Sequence, residues 1–172
     1  MKTSKLFRLT LFSGLFVLGV IVETFAQEVL PEIIVTEAMY KYLNSVNPEE
    51  AAQPVSMLEQ YVASYDLKGA EFYEDEYDNY VVSFFIPNGK ILALYAKDGT
   101  LLQTAERYND SALPKNILKT IANKYPKWAV SQDVYLVTYH QKDGSTRKIY
   151  KLVLQDGNKK VRIKVNDQAE FL

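Results

Sequence analysis

The sequence predicts an α+β fold: two repeats of a helix followed by an antiparallel β-meander. Three observations carry this. Two amphipathic segments correspond at a constant offset of 60 residues, Asn-Gly or Asp-Gly dipeptides follow each of them, and the stretches between those dipeptides are rich in Tyr, Val, Ile and Leu.

In the first amphipathic segment Pro54 precedes Met57, Leu58, Tyr61, Val62 and Tyr65; in the second Pro114 precedes Ile117, Leu118, Ile121, Ala122 and Tyr125. Apolar residues spaced by three and four form one stripe on a helix, and a proline is tolerated in the first turn, where its missing N–H would have no partner. Equivalent helices are therefore expected over 50–65 and 113–125. Asn88-Gly89, Asp98-Gly99, Asp143-Gly144 and Asp156-Gly157 favour the positive φ angles of tight hairpin turns. The runs they separate are strand-like: Tyr80 to Ile86, Ile91 to Ala96, Val134 to His140, Arg147 to Leu154 and Val161 to Val165. Gly89 and Gly157 correspond at an offset of 68, which implies a longer first hairpin in the second unit. A last turn at Asn166-Asp167 leads to Phe171. Alternation in the final strand puts Val161, Ile163 and Val165 on a face that packs against a helix, with Arg162 and Lys164 on the solvent side. The other strands are apolar on both faces, so either both sides of the sheet are covered or the open one is an aromatic surface.

Residues 1–26 have the order of a cleavable export signal: Lys2, Lys5 and Arg8, then an apolar run from Leu9 to Val22, then small residues up to Ala26. The run is shorter than the ~20 residues of a membrane span. With no cysteine after it, a lipid anchor is not expected, nor is stable membrane insertion once the signal is cleaved near Ala26. The expected location is periplasmic or extracellular. Residues 27–49 read as an extended N-terminal segment, with Leu30 to Thr36 as a short strand or arm. Residues 50–172 then form one domain of two units, about 50–108 and 109–172. Without disulfides, its stability must come from packing, to which the 13 tyrosines and Trp128 bring large rings.

Charge is unevenly distributed. Gln27 to Asp78 holds 12 acidic and two basic residues, whereas Asn79 onward holds 15 basic and eight acidic ones. Either the two parts complement one another within the domain, or a basic C-terminal surface meets an acidic partner. Nucleic acid is not an expected partner of a chain that is exported and whose net charge is negative, −1 over the full sequence. One histidine, His140, and no cysteine leave no Cys-His pair and no His/Cys zinc site, and no nucleophile elbow or phosphate-binding glycine loop occurs. No catalytic residue and no cofactor are expected. The run Glu71 to Tyr80 is densely acidic. If it is extended, Glu74, Glu76 and Asp78 share a side and are candidate calcium ligands; otherwise the run is an acidic tip that keeps a sheet edge soluble. Tyr80, Tyr95, Tyr135, Tyr139 and Tyr150 are candidate partner-binding residues together with Arg162 and Lys164, because tyrosine suits interfaces, although it is equally a good core residue of strands.

The Leu113-Pro114 helix start, the Tyr125-Pro126-x-Trp128 stretch, the strands at Tyr135 to Val137 and Tyr150 to Leu154, and the Asp-Gly turns resemble the PepSY-like, β-lactamase-inhibitor-protein-like family of bacterial periplasmic domains over residues 50–172. The pattern departs at Asp167-Gln168, where Asp-Gly is expected, and the family assigns no role to residues 27–49. The resemblance implies a curved antiparallel sheet with helices packed on its convex side and a concave face left for a protein partner. The function so implied is an exported, non-enzymatic protein-binding domain that modulates an envelope enzyme. The alternative is a small-ligand or calcium sensor using the acidic 71–78 cluster.

Overall fold

In the computed structural model of the chain, residues 36–46 and 51–172 are described. The export signal and the arm ahead of Thr36 lie outside the described residues. Among the described residues three helices, α1 (Glu37–Val46), α2 (Gln53–Ala63) and α3 (Lys115–Lys124), accompany six strands: β1 (Asn79–Ile86), β2 (Gly89–Ala96), β3 (Leu101–Asn109), β4 (Ala129–His140), β5 (Ser145–Asp156) and β6 (Lys159–Asn166). The strands form one antiparallel sheet in sequential order, so β3 and β4 join the two helix-plus-three-strand units edge to edge. The fold class read from the sequence is the one observed.

The helices differ from expectation in two ways. First, part of the segment expected to be extended is α1. Thr36 Oγ1 accepts the N–H of Met39 at 3.2 Å, which caps its first turn, and Met39, Tyr42 and Val46 form its buried stripe. Second, the two later helices correspond in burial at an offset of 59. Leu58 and Val62 are matched by Ile117 and Ile121, while Met57, Tyr61 and Leu118 are exposed. One residue is about 100° of helix rotation, enough to carry a flanking apolar side chain out of the core.

The turns differ as well. Ile86 pairs directly with Gly89, so the first hairpin turns on Pro87 and Asn88, and Gly89 already belongs to β2. Gly89 is required for a different reason: a Cβ there would lie 2.4 Å from Cδ1 of the buried Tyr108 ring. Gly99, Gly144 and Gly157 do take positive φ. The strand Leu101–Asn109, absent from the strand-like runs of the sequence, pairs along its length with β2 and β4.

One face of the sheet carries the core. Register places Tyr80 beside Tyr95, Phe84 beside Ile91, Glu106 beside Val137, Tyr135 beside Tyr150 and Leu152 beside Ile163. The Tyr108, Tyr135 and Tyr150 rings stack in a row across β3, β4 and β5, with centroids 5.9 and 4.4 Å apart. All three helices lie on this face. Tyr65 packs edge-on against Phe84, Tyr95 donates to the Val62 carbonyl at 2.7 Å, Tyr42 packs on Tyr139, and Ile117 and Ile121 join the same core.

Candidate functional site

The opposite face is open: among the described residues no helix packs on it. Its side chains follow from the register. They include Val81, Ser83 and Phe85 on β1; Lys90, Leu92 and Leu94 on β2; Ala105 and Arg107 on β3; Val134, Leu136, Thr138 and His140 on β4; Arg147, Ile149, Lys151 and Val153 on β5; and Lys160, Arg162 and Lys164 on β6. Among the described residues no strand position on this face is acidic, while seven are Lys or Arg. Two pairs of like charge stand directly opposite one another, Lys90 with Arg107 and Lys151 with Lys164. Such pairs oppose sheet formation unless a counter-charge arrives.

The cations frame apolar ground. A depression with a volume of about 290 Å³ between β4, β5 and β6 is bordered by Gln132, Val134, Lys151, Val153, Arg162 and Lys164. An apolar floor with a cationic rim suits an acidic segment that also carries an apolar side chain.

Arg162 and Lys164 thus lie exposed on the open face, as their alternation requires. The five tyrosines do not join them. Tyr80, Tyr95, Tyr135, Tyr139 and Tyr150 are all buried on the helix-covered face, the most exposed at 8%. Each shares strand parity with core residues, so rings that suited an interface form the lattice beneath the helices instead. Neither is the acidic run extended. Residues 66–78 make successive turns, tied to the β2–β3 hairpin by Lys97 Nζ on Asp75 at 3.5 Å and by the Tyr73 hydroxyl donating to the Lys97 carbonyl at 3.0 Å. Glu74, Glu76 and Asp78 are exposed and do not converge, and among the described residues no three acidic or imidazole groups gather into a metal-binding cluster.

A buried carboxyl pair escaped the sequence reading. Glu59 of α2 and Glu106 of β3 are both inside the core. Glu106 accepts from Tyr42 hydroxyl (2.9 Å), Thr104 Oγ1 (2.6 Å) and Tyr108 hydroxyl (2.8 Å). Burial raises its pKa, and those donors work in the other direction. The Glu59 oxygens meet no protein donor among the described residues. Burial, reinforced by the neighbouring Glu106 charge, pushes Glu59 up to about 9, so at neutral pH it keeps its proton. That proton lets two acceptor groups lie side by side. The signal available in sequence was Glu59 sitting between Leu58 and Val62 on the apolar stripe.

No family model matches this sequence, and no curated protein matches it. Among solved structures the chain is similar to the crystal structure of a BLIP-like protein from Bacteroides fragilis NCTC 9343, with 16% identity over 83% of this chain and 86% of that one and a TM-score of 0.32. No helix among the described residues is long and apolar enough to cross a membrane.

Proposed function

We propose that the protein is an exported, non-enzymatic binding domain whose open sheet face docks an acidic protein of the cell envelope. The carrying observation is the absence, among the described residues, of any acidic side chain from the strand positions of that face, where seven cations share the surface with Val134, Leu136, Ile149 and Val153 and three of them, Arg107, Lys151 and Arg162, stand directly opposite one of these. Charges of one sign speed encounter and set orientation, and the apolar floor supplies contact area that excludes water. Modulation of an envelope enzyme by covering part of its surface is the form of this activity that the sequence resemblance implies. The buried carboxyl pair belongs to the support of the face, since β3 carries Glu106 inward and Arg107 outward.

Photo-crosslinkers placed at Leu136 or Val153, and at Met57 on the helix side as control, test the proposal in the native envelope. The open-face positions are expected to give one discrete protein adduct that disappears in Arg162→Glu with Lys164→Glu. An adduct formed equally well from Met57, or no adduct from either open-face position, overturns it.

A further inference from the structure

The two edges of the sheet are treated differently. β6 carries Lys159, Lys160, Arg162 and Lys164, and the C-terminal tail lies along its outer side: Val165 bridges to Phe171, Asn166 N–H donates to the Glu170 carbonyl and Leu172 N–H to the Lys164 carbonyl, both at 3.0 Å. Lysines and covering chain are the usual protection of an edge strand. β1, with sequence NYVVSFFI, has no charge, no proline and no bulge against β2.

Its free backbone groups can be identified. Ile86 and Gly89 close a two-residue hairpin, so Ile86, Phe84, Val82 and Tyr80 hydrogen-bond to β2, and the N–H and C=O of Val81, Ser83 and Phe85 point outward. Among the described residues no other backbone group bonds to them. Exposed apolar side chains also concentrate here. Val81 and Phe85 are 70% and 68% exposed on the open face. On the helix side the exposed Tyr61 packs on Phe84, and the exposed Phe72 and Tyr77 flank Tyr80, with ring centroids 5.6, 6.4 and 6.1 Å apart.

We infer that β1 is the pairing edge of a two-fold dimer of this chain, in which β1 lies antiparallel to β1 of a second copy with Ser83 on the axis. That register opposes Ser83 to Ser83 and Val81 to Phe85 in both directions, and each opposed pair exchanges two N–H···O=C bonds. The occupant is a second copy because the strand complements itself. Aromatic and β-branched side chains meet twice across the seam, and no charge is brought against its like. A charged partner strand would gain nothing from this uncharged edge. Opposed residues share a face, so the open faces of the two copies join into one surface.

The test is sedimentation equilibrium of the protein produced from the full-length sequence, with Ser83→Lys and Ser83→Glu as variants. Both substitutions leave the β1–β2 hydrogen bonds intact, and unchanged circular dichroism verifies folding. The wild type is expected at twice the chain mass. Each variant alone is expected at the single mass under the same conditions, because like charges meet on the axis, and an equimolar mixture of the two is expected to regain the doubled mass. A wild type at the single mass, as would follow if another segment of the same chain occupied the edge, overturns the inference. So does a doubled mass that survives both substitutions, or a mixture that stays single.

Discussion

The proton held by Glu59 makes stability fall as pH rises. The native pKa of about 9 stands well above the unfolded value of 4.5, so between these limits the folded chain binds a proton that the unfolded chain has released. Stability from this group is complete below pH 4.5 and declines through the neutral range until the native carboxyl itself ionises. Each pH unit in that window costs about 1.4 kcal/mol, so a rise from pH 5 to 7.5 removes about 3 kcal/mol, a large share of a small domain's stability. Glu106 and Asp133, also raised chiefly by burial, add to the slope in the same direction. Glu59→Gln isolates the contribution, because the amide keeps the shape and offers Glu106 an N–H donor that does not titrate. Urea unfolding of wild type and variant at pH 5 and pH 7.5 should show the wild type losing about 3 kcal/mol more than Glu59→Gln. Parallel pH dependences of the two proteins would refute the reasoning.

Other consequences can be measured in the same way. Tyr42→Phe removes a hydroxyl donor from the buried Glu106 and should cost about 1–3 kcal/mol in urea unfolding, with Tyr108→Phe comparable. Gly89→Ala should destabilise by about 1–3 kcal/mol, because its methyl group would displace the Tyr108 ring from a filled core; a neutral outcome in thermal unfolding would contradict the close approach. Lys164→Glu turns the Lys151–Lys164 opposition into an attractive pair, so it should raise stability by about 0.5 kcal/mol while weakening partner binding, a combination that loss of folding cannot produce. Binding through the open face should also fall steeply between low and physiological salt in a titration with the crosslinked partner, whereas the β1 dimer, held by uncharged groups, should change little.

Several features were legible in the sequence for identifiable reasons. Asp98-Gly99, Asp143-Gly144 and Asp156-Gly157 signal turns because their glycines occupy positive φ, a local demand of the backbone. Val161, Ile163 and Val165 alternate with Arg162 and Lys164, and one side of a strand can be read whenever the other is charged. β3 was missed for the converse reason: its inward positions include Thr104 and Glu106, so apolar alternation breaks where the core holds a polar network. The helix correspondence was read one residue out because Met57, Tyr61 and Leu118 widen the apparent stripe without being buried. α1 was missed because only Met39, Tyr42 and Val46 carry its pattern, in a segment with no proline or glycine to mark its start.

By itself, the sequence determined the fold class, the helix-then-meander order, the cationic side of β6 and the charge imbalance between the two parts of the chain. All follow from local rules: helical period, strand alternation, turn stereochemistry and a count of charges. The tertiary structure decided which face each tyrosine occupies, that the cations of β2, β3, β5 and β6 share one surface, that Glu59 meets Glu106, and that among the described residues β1 rather than β6 is the bare edge. Those depend on register between strands far apart in the chain. Because side chains alternate at a period of two, a single residue of register decides whether a ring is core or surface and whether two charges meet or part.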